Sequence, residues 1–357
     1  MDPGSLRAVR PPTIGRVLAL RLHPDRQLRL HDEPIPEPGP GDALIRVGAV
    51  GLCGSDRHWV VDGGIGDAVL DAPLVLGHEF AGVVESGSLR GRRVAVDPAV
   101  SCGTCEPCAA GRENLCLRVV FAGHGRTDGA LREFMAWPEA SLHPLSDHLD
   151  DLVGAMVEPL AVAIHGVDLG RLDEGATVGV VGCGPIGLLV VALARLAGAS
   201  LIVATDPSPQ RRTAATDLGA SRVIEATGTP DDGDAVLAAT GGRGLDVVFE
   251  VAGEAAAVEC AVTAARPGAR VILLGIPPDD RTTFAASVAR RKGLTLKLTR
   301  RSTHGTFERA VQLAEAGSID LGGLVTLRVP LAEGPRAFEA LVRRDGIKTV
   351  IEPGSPA

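Results

Sequence analysis

From residue 177 to residue 274 the sequence alternates short apolar runs with longer stretches that are apolar at helical spacing. Thr177–Val181 reads as a buried strand, and 185–196 as a helix. Further strands are expected at 201–204, 222–224, 246–249 and 270–274, with helices ending at Gly219 and spanning 231–240 and 254–265 between them. Alternation of this kind builds βαβ units, a parallel sheet with helices on both faces. After Gly293 the alternation is expected to stop.

One loop in this stretch carries chemistry. Gly182-Cys183-Gly184-Pro185-Ile186-Gly187 follows a strand and opens a helix, the context that a dinucleotide fingerprint requires. The first glycine permits a tight turn, the second lets the backbone approach a pyrophosphate, and the third lets helix and strand pack closely. The helix N-terminus adds unpaired N–H groups and a positive dipole end. In a chain with 45 glycines the motif alone would carry little. Its placement, and Asp206 at the end of the next strand, give it weight. An acidic residue there accepts hydrogen bonds from the adenine ribose and repels a 2′-phosphate, which favours NAD over NADP. Asp206 could also cap the helix ahead of Pro207. Arg211 and Arg212 pull the other way, because arginine near this site accommodates a 2′-phosphate.

The stretch from about residue 16 to 143 has a different texture, rich in Gly and Pro with short β-branched runs at 43–50, 81–85 and 93–96. It reads as an irregular β-barrel or sandwich. A length of 357 residues implies two domains. The net charge of −8 argues against nucleic acid or an anionic membrane as a partner. No apolar run approaches the roughly 18 residues of a membrane span. Residues 1–12 lack an apolar signal core and read as a tail, not a signal peptide.

Cys102, Cys105, Cys108 and Cys116 fall in one short run, two Cys-x-x-Cys steps and a fourth Cys beyond. Four thiolates at this spacing can surround one ion, zinc or less often iron, in a closed structural shell. Disulfides are the poorer reading, since two Cys-x-x-Cys bridges would be strained. Of the other three cysteines, Cys183 and Cys260 lie in apolar stretches and Cys53 in a metal-like context. This usage fits a reducing cytosol.

Gly51-Leu-Cys53-Gly-Ser55-Asp56-Arg-His58-Trp59, Gly77-His78-Glu79 and the cysteine run together resemble one family, the zinc-dependent medium-chain alcohol and polyol dehydrogenases. The resemblance covers about residues 16–352. It implies an α/β architecture: a GroES-like β-barrel catalytic domain over 1–157 and 298–357, a zinc lobe at about 98–118, and a Rossmann doubly wound domain over 158–297. It implies two zinc ions per chain, the structural one on the four cysteines and a catalytic one with an open position for substrate oxygen. Cys53 and His78 resemble two catalytic ligands. Where alcohol dehydrogenases carry a second cysteine this chain has Glu158, a mark of the sorbitol, xylitol and threonine dehydrogenase branch. Either Glu79 or Glu158 would be the third direct ligand.

By the same likeness Ser55 passes the alcohol proton toward His58, a surface histidine, and Asp56 orients His78. Zinc there would act as the Lewis acid that eases ionisation of the alcohol. An Asp followed five residues later by Arg goes with NAD in polyol dehydrogenases, and Asp206 and Arg211 match. Gly182, Gly184, Pro185, Ile186, Gly187, Val251 and Leu274 would line the cofactor. Trp59, Phe121, Glu158 and Arg301 would face substrate.

The family follows that arginine with tyrosine. Here Ser302 stands in its place and the chain has no tyrosine at all, so sorbitol itself is in doubt. His124 and Arg126 lie on a loop near the expected cleft, where an acidic or phosphorylated substrate is one reading and an ordinary charged loop the other. The expectation is an NAD-linked, cytoplasmic oxidoreductase acting on a secondary alcohol in a polyol, sugar, cyclitol or amino alcohol. A homodimer or homotetramer is implied, joined near 270–277 and 287–298. The alternatives are a threonine-type 3-hydroxy amino acid dehydrogenase and a catalytically silent nucleotide-binding homologue. The intact metal-type residues count against the silent homologue and against a zinc-free quinone reductase.

Overall fold

Apolar residues run together in Thr177–Val181 and Leu201–Asp206 because both faces of these strands are covered. The computed structural model describes residues 15–278 and 280–354; the tail expected over 1–12 lies outside them. Six strands form one sheet in the order Arg222–Glu225, Leu201–Asp206, Thr177–Val181, Leu245–Glu250, Ala265–Leu273, Thr295–Leu298. Every neighbouring pair is parallel. Counted along the chain this is the 3-2-1-4-5-6 order, with its reversal point beside the first strand, where such sheets bind dinucleotides. The helix Pro185–Leu196 buries eight of its twelve residues.

The sixth strand corrects the expectation that alternation ends at Gly293. Gly293 closes the helix Ala286–Lys292 at a left-handed φ of 59°, and the chain then re-enters the sheet along Ala265–Leu273.

The earlier residues fold separately around their own core, which includes Leu20, Ile45, Trp59, Phe80 and Trp137. Its main sheet runs Leu142–Pro144, Arg93–Val96, Glu79–Val84, Asp42–Gly51, Lys348–Glu352, Val325–Pro330, with Phe134–Pro138 also paired to Asp42–Gly51. The end of the chain thus returns to this sheet, antiparallel to Asp42–Gly51. The helix His304–Glu315 does something else. Its Phe307, Ala310 and Ala314 share a core with the parallel sheet and with the helix Val157–Gly170.

Among the described residues one stretch, Asp151–Gly170, is long and apolar enough to cross a membrane. It is 67% buried inside the protein, as a core helix is.

Candidate metal centres and nucleotide cleft

All seven cysteines are free. Cys102, Cys105, Cys108 and Cys116 bring their sulfurs within 4.8 Å of one another. Cys105 Sγ lies 3.3 Å from Cys108 Sγ and 3.9 Å from Cys116 Sγ, close to the roughly 3.8 Å edge of a tetrahedron with zinc–sulfur bonds of about 2.3 Å. Donors already surround the sulfurs. The N–H of Cys102 points at Cys116 Sγ (3.2 Å) and the Arg118 guanidinium at Cys102 Sγ (3.4 Å). The N–H of Thr104, with Arg118, holds the Cys102 thiol down at about 5. The donor set fits a closed zinc site.

The second centre is assembled by strand pairing. Gly51 ends one strand, Glu79 begins the next, and the two are register partners, so Cys53 comes beside His78 and Glu79. Glycine at position 51 leaves room for this approach, since a Cβ there would meet the ends of the Glu79 and Lys348 side chains and displace them. Ligand atoms of Cys53, His78 and Glu79 lie within 4.8 Å of one another. Glu158, in the first turn of Val157–Gly170, lies outside that cluster, though it faces the same groups. Burial pushes its carboxyl well above the usual range; the charge of His78 opposes the shift, and those of Glu79 and Cys53 add to it. Burial likewise pushes the Cys53 thiol up to about 12.

Asp56, Glu79 and Glu158 are all buried, and the lone lysine among them is Lys348, which pairs with Glu79 and donates to Leu52 O (2.9 Å). Three buried carboxyls and a thiol thus surround one lysine; burial holds Glu158 and Cys53 back from ionising, and a dication would draw such acidic ligand groups into their anionic forms. The residues fit a zinc ion.

The N-terminal helix of this centre, Gly54–Val61, carries four of the expected residues. Asp56 accepts the Cys53 N–H through Oδ2 (2.9 Å). Its other oxygen lies 3.7 Å from His78 Nδ1 and has no hydrogen-bond partner. Ser55 Oγ is 3.4 Å from His78 Nε2. One expectation is corrected. His58 is only 8% exposed, with Nδ1 held by Asp62 (2.7 Å); helical spacing turns it inward, and no hydrogen bond joins it to Ser55 among the described residues. Trp59 is 2% exposed, packed into the barrel core, and touches the edge of His124 at 5.5 Å between ring centroids.

Phe121 does stand at the centre, 5.3 Å from the His78 ring, with the Arg301 guanidinium 4.9 Å over its face. Arg301 adopts a left-handed φ of 55°, a strained conformation that clusters at functional sites. One of its guanidinium nitrogens is buried without a partner. Arg126, by contrast, is exposed and pairs with Asp71.

In the glycine loop, Gly182 turns at φ 100°, and a Cβ on Gly187 would overlap the Gly182 carbonyl oxygen. Nothing lies within 4 Å of a Cβ on Gly184, which is the N-cap of Pro185–Leu196. The loop therefore leaves open space in front of unpaired helix N–H groups, a fit for a pyrophosphate. Ile186, Val251 and Leu274 are partly buried hydrophobics packed against the same core. Asp206 accepts the N–H groups of Cys183 and Ser208, one on each oxygen (both 2.8 Å), leaving further lone pairs on both. The helix cap itself is Ser208.

Arg211, expected among the cofactor-binding residues, turns its Nε and a terminal nitrogen to the carbonyls of Gly346 (2.9 Å) and Arg344 (3.0 Å). Arg212 stays near Asp206, bonded to the Asp206 and Pro207 carbonyls and paired with Glu225.

Sequence reasoning missed Lys348, Asn114 and Glu250. Lys348 is one of three lysines in a chain that otherwise uses arginine, the one signal that could have marked it. Asn114 Nδ2 donates to the Arg300 carbonyl (3.0 Å), tethering the segment that carries Arg301 to the cysteine lobe. Glu250, buried, accepts the N–H groups of Ala252 and Gly253 and shapes the loop beside Gly182.

Two family models match the chain: "Alcohol dehydrogenase GroES-like domain" over residues 39–147 and "Zinc-binding dehydrogenase" over residues 185–316. A sorbitol dehydrogenase of Bacillus subtilis is 32% identical, over 93% of this chain and 96% of that protein. A protein of Arthroderma otae named probable D-xylulose reductase A is 36% identical, over 94% and 96%. A zinc-binding dehydrogenase of Sinorhizobium meliloti, solved with NADP, superposes with a TM-score of 0.84 at 32% identity, covering 95% of this chain and 99% of that one.

Proposed function

The chain belongs to the zinc-binding, GroES-like alcohol dehydrogenases, and we propose that it oxidises a secondary alcohol of a polyol or sugar with NAD as the hydride acceptor. The observation that carries this reading is the cluster of Cys53, His78 and Glu79, whose ligand atoms lie within 4.8 Å of one another. The similarity to a sorbitol dehydrogenase and a xylulose reductase supports the polyol class over the threonine-type alternative.

Zinc held by Cys53, His78 and Glu79 would supply Lewis acidity that eases ionisation of the alcohol. NAD on the Gly182–Gly187 loop would receive the hydride. The remaining work falls to side chains. Ser55 Oγ, beside His78 Nε2, is the hydroxyl placed to take the alcohol proton. Asp56 faces His78 Nδ1 and holds that ring in orientation. Glu158, its carboxyl raised by burial, stores a proton and offers a hydrogen bond to a substrate hydroxyl. Phe121 walls the centre against water, and Arg301 donates to substrate oxygens from above it. The oxygens of Asp206 that remain free favour the ribose of NAD.

The protein is expected to act in the cytoplasm as a homo-oligomer joined along Thr295–Leu298. That strand is an edge of the parallel sheet, and Leu298 on it is 72% exposed, with Ile276, three residues past the register partner Leu273, at 48%. An open sheet edge is a pairing surface.

The test is NADH and NADPH formation across polyols, aldoses, cyclitols and hydroxy amino acids, for the wild type and Cys53→Ala. Turnover with a polyol or sugar and NAD, abolished in a folded Cys53→Ala, is the expected result. Turnover that survives the substitution would overturn the zinc assignment, and turnover with threonine alone would favour the other branch.

A further inference from the structure

A third group of ligand-type side chains converges away from both sites, where the start of the helix His304–Glu315 meets the barrel. Asp97 follows the strand Arg93–Val96, His143 lies on the neighbouring strand Leu142–Pro144, and His304 is the first residue of the helix. One donor atom from each lies within 4.8 Å of the other two. Among the described residues, no hydrogen bond or ion pair joins any two of the three.

Each has capacity to spare. Asp97 is 8% exposed and uses Oδ1 on the Ala99 N–H (2.9 Å), leaving its second oxygen free of a cation. Nε2 of His143 is buried without any hydrogen-bond partner, a costly state for a polar nitrogen. The His304 ring is half exposed, 3.3 Å from Glu308, while its backbone N–H donates to Glu113 (2.8 Å). Burial, helped by the charge of His304, pulls the His143 imidazole down to about 4, so its ring is neutral at physiological pH and its lone pair is available. Glu113 and Glu308 add negative potential around the group.

We propose that Asp97, His143 and His304 form a third metal site for a divalent first-row ion such as zinc, pinning the start of the helix His304–Glu315 to the barrel. Two imidazoles and one carboxylate are a donor set that such ions accept, with water completing the shell. Bond lengths of about 2.0–2.1 Å place tetrahedral donors roughly 3.4 Å apart, so the group has to contract on binding. The exposed His304 ring is the member free to move. The proposal is independent of the reaction assigned above, because none of the three residues belongs to the nucleotide loop, the cysteine lobe or the Cys53 centre.

Untagged holoenzyme would be equilibrated with micromolar Zn²⁺, and bound metal per chain counted by plasma mass spectrometry for the wild type, His304→Ala and Asp97→Asn. The wild type should hold one ion more than His304→Ala, three against two, and both variants should bind that ion at least tenfold more weakly. The difference between wild type and variant reads this site whatever the other two hold. His304 is exposed, so its replacement should fold, which circular dichroism checks. Equal stoichiometry and affinity in wild type and His304→Ala would overturn the proposal. A third ion that persists in both variants would do so as well, locating it elsewhere, for example at the stacked His23 and His31 pair.

Discussion

Lys348 has the most consequential side chain that is silent in the sequence. It sits 269 residues from Glu79, yet both are 1% exposed and form a buried ion pair. Burial alone would lower the pKa of its ammonium group, but the charges of Glu79 and Cys53 outweigh that effect and raise it. Removing one member of a buried pair strands the other, at a cost of about 3–5 kcal/mol. Lys348→Met should therefore lower stability by about that amount in urea denaturation of the zinc-stripped protein. With zinc bound the loss should shrink, because the dication gives Glu79 another partner; an unchanged midpoint in the stripped protein would remove this role. Cys53, His78 and the glycines were legible because their chemistry is rare and their spacing is local. The Lys348 interaction was not, since only folding brings it to Glu79. His58 was legible as a residue and misplaced as a surface one, because the turn of one short helix decides which of its side chains face inward.

At the scale of elements, the cysteine lobe is coupled to the cleft by two hydrogen bonds that its spacing could not announce. Asn114 holds the Arg300 carbonyl, and Glu113 holds the His304 N–H. Together they bracket Arg301. The lobe itself contributes few buried apolar side chains, Cys105 and Cys116 among them, so its order has to come from the metal. Cys108→Ser, or removal of the structural zinc by a chelator, should open residues 102–118 to proteolysis while the parallel sheet stays protected. KM for substrate should also rise several-fold as the Arg301 segment loosens. Hydrogen exchange of the lobe together with steady-state kinetics checks both parts, and a lobe that stays protected without metal would contradict the argument. The strands and helices of 177–274 were legible to within about two residues, because buried parallel strands are continuous apolar runs; the exception is Ala265–Leu273, which begins five residues before the expected 270. Thr295–Leu298 was not: on a sheet edge, with three of four residues exposed, it carries no such run.

Across the whole molecule, the connection between the two halves rests partly on a residue expected to serve the cofactor. Arg211 reaches from the helix Pro209–Asp217 to the carbonyls of Arg344 and Gly346, and the side chain of Arg344 returns to Glu254. The turn at 344–346 leads directly into Lys348–Glu352, the strand that carries Lys348 to Glu79. A hydrogen bond from a charged donor contributes about 1.5–3 kcal/mol, whereas the exposed Arg344–Glu254 pair contributes at most about 1 kcal/mol. Arg211→Ala should therefore destabilise the protein by about 1.5–3 kcal/mol in thermal or urea unfolding, and Glu254→Ala by less than about 1 kcal/mol. If the guanidinium braces this turn and does not hold the adenine ribose, KM for NAD should stay within twofold of wild type in Arg211→Ala. A large rise in that KM with unchanged stability would return Arg211 to the cofactor. The pattern of Asp206 followed by Arg211 was visible in the sequence, but the direction of the guanidinium depends on a turn 133 residues further along the chain, and that placement is a property of the assembled fold.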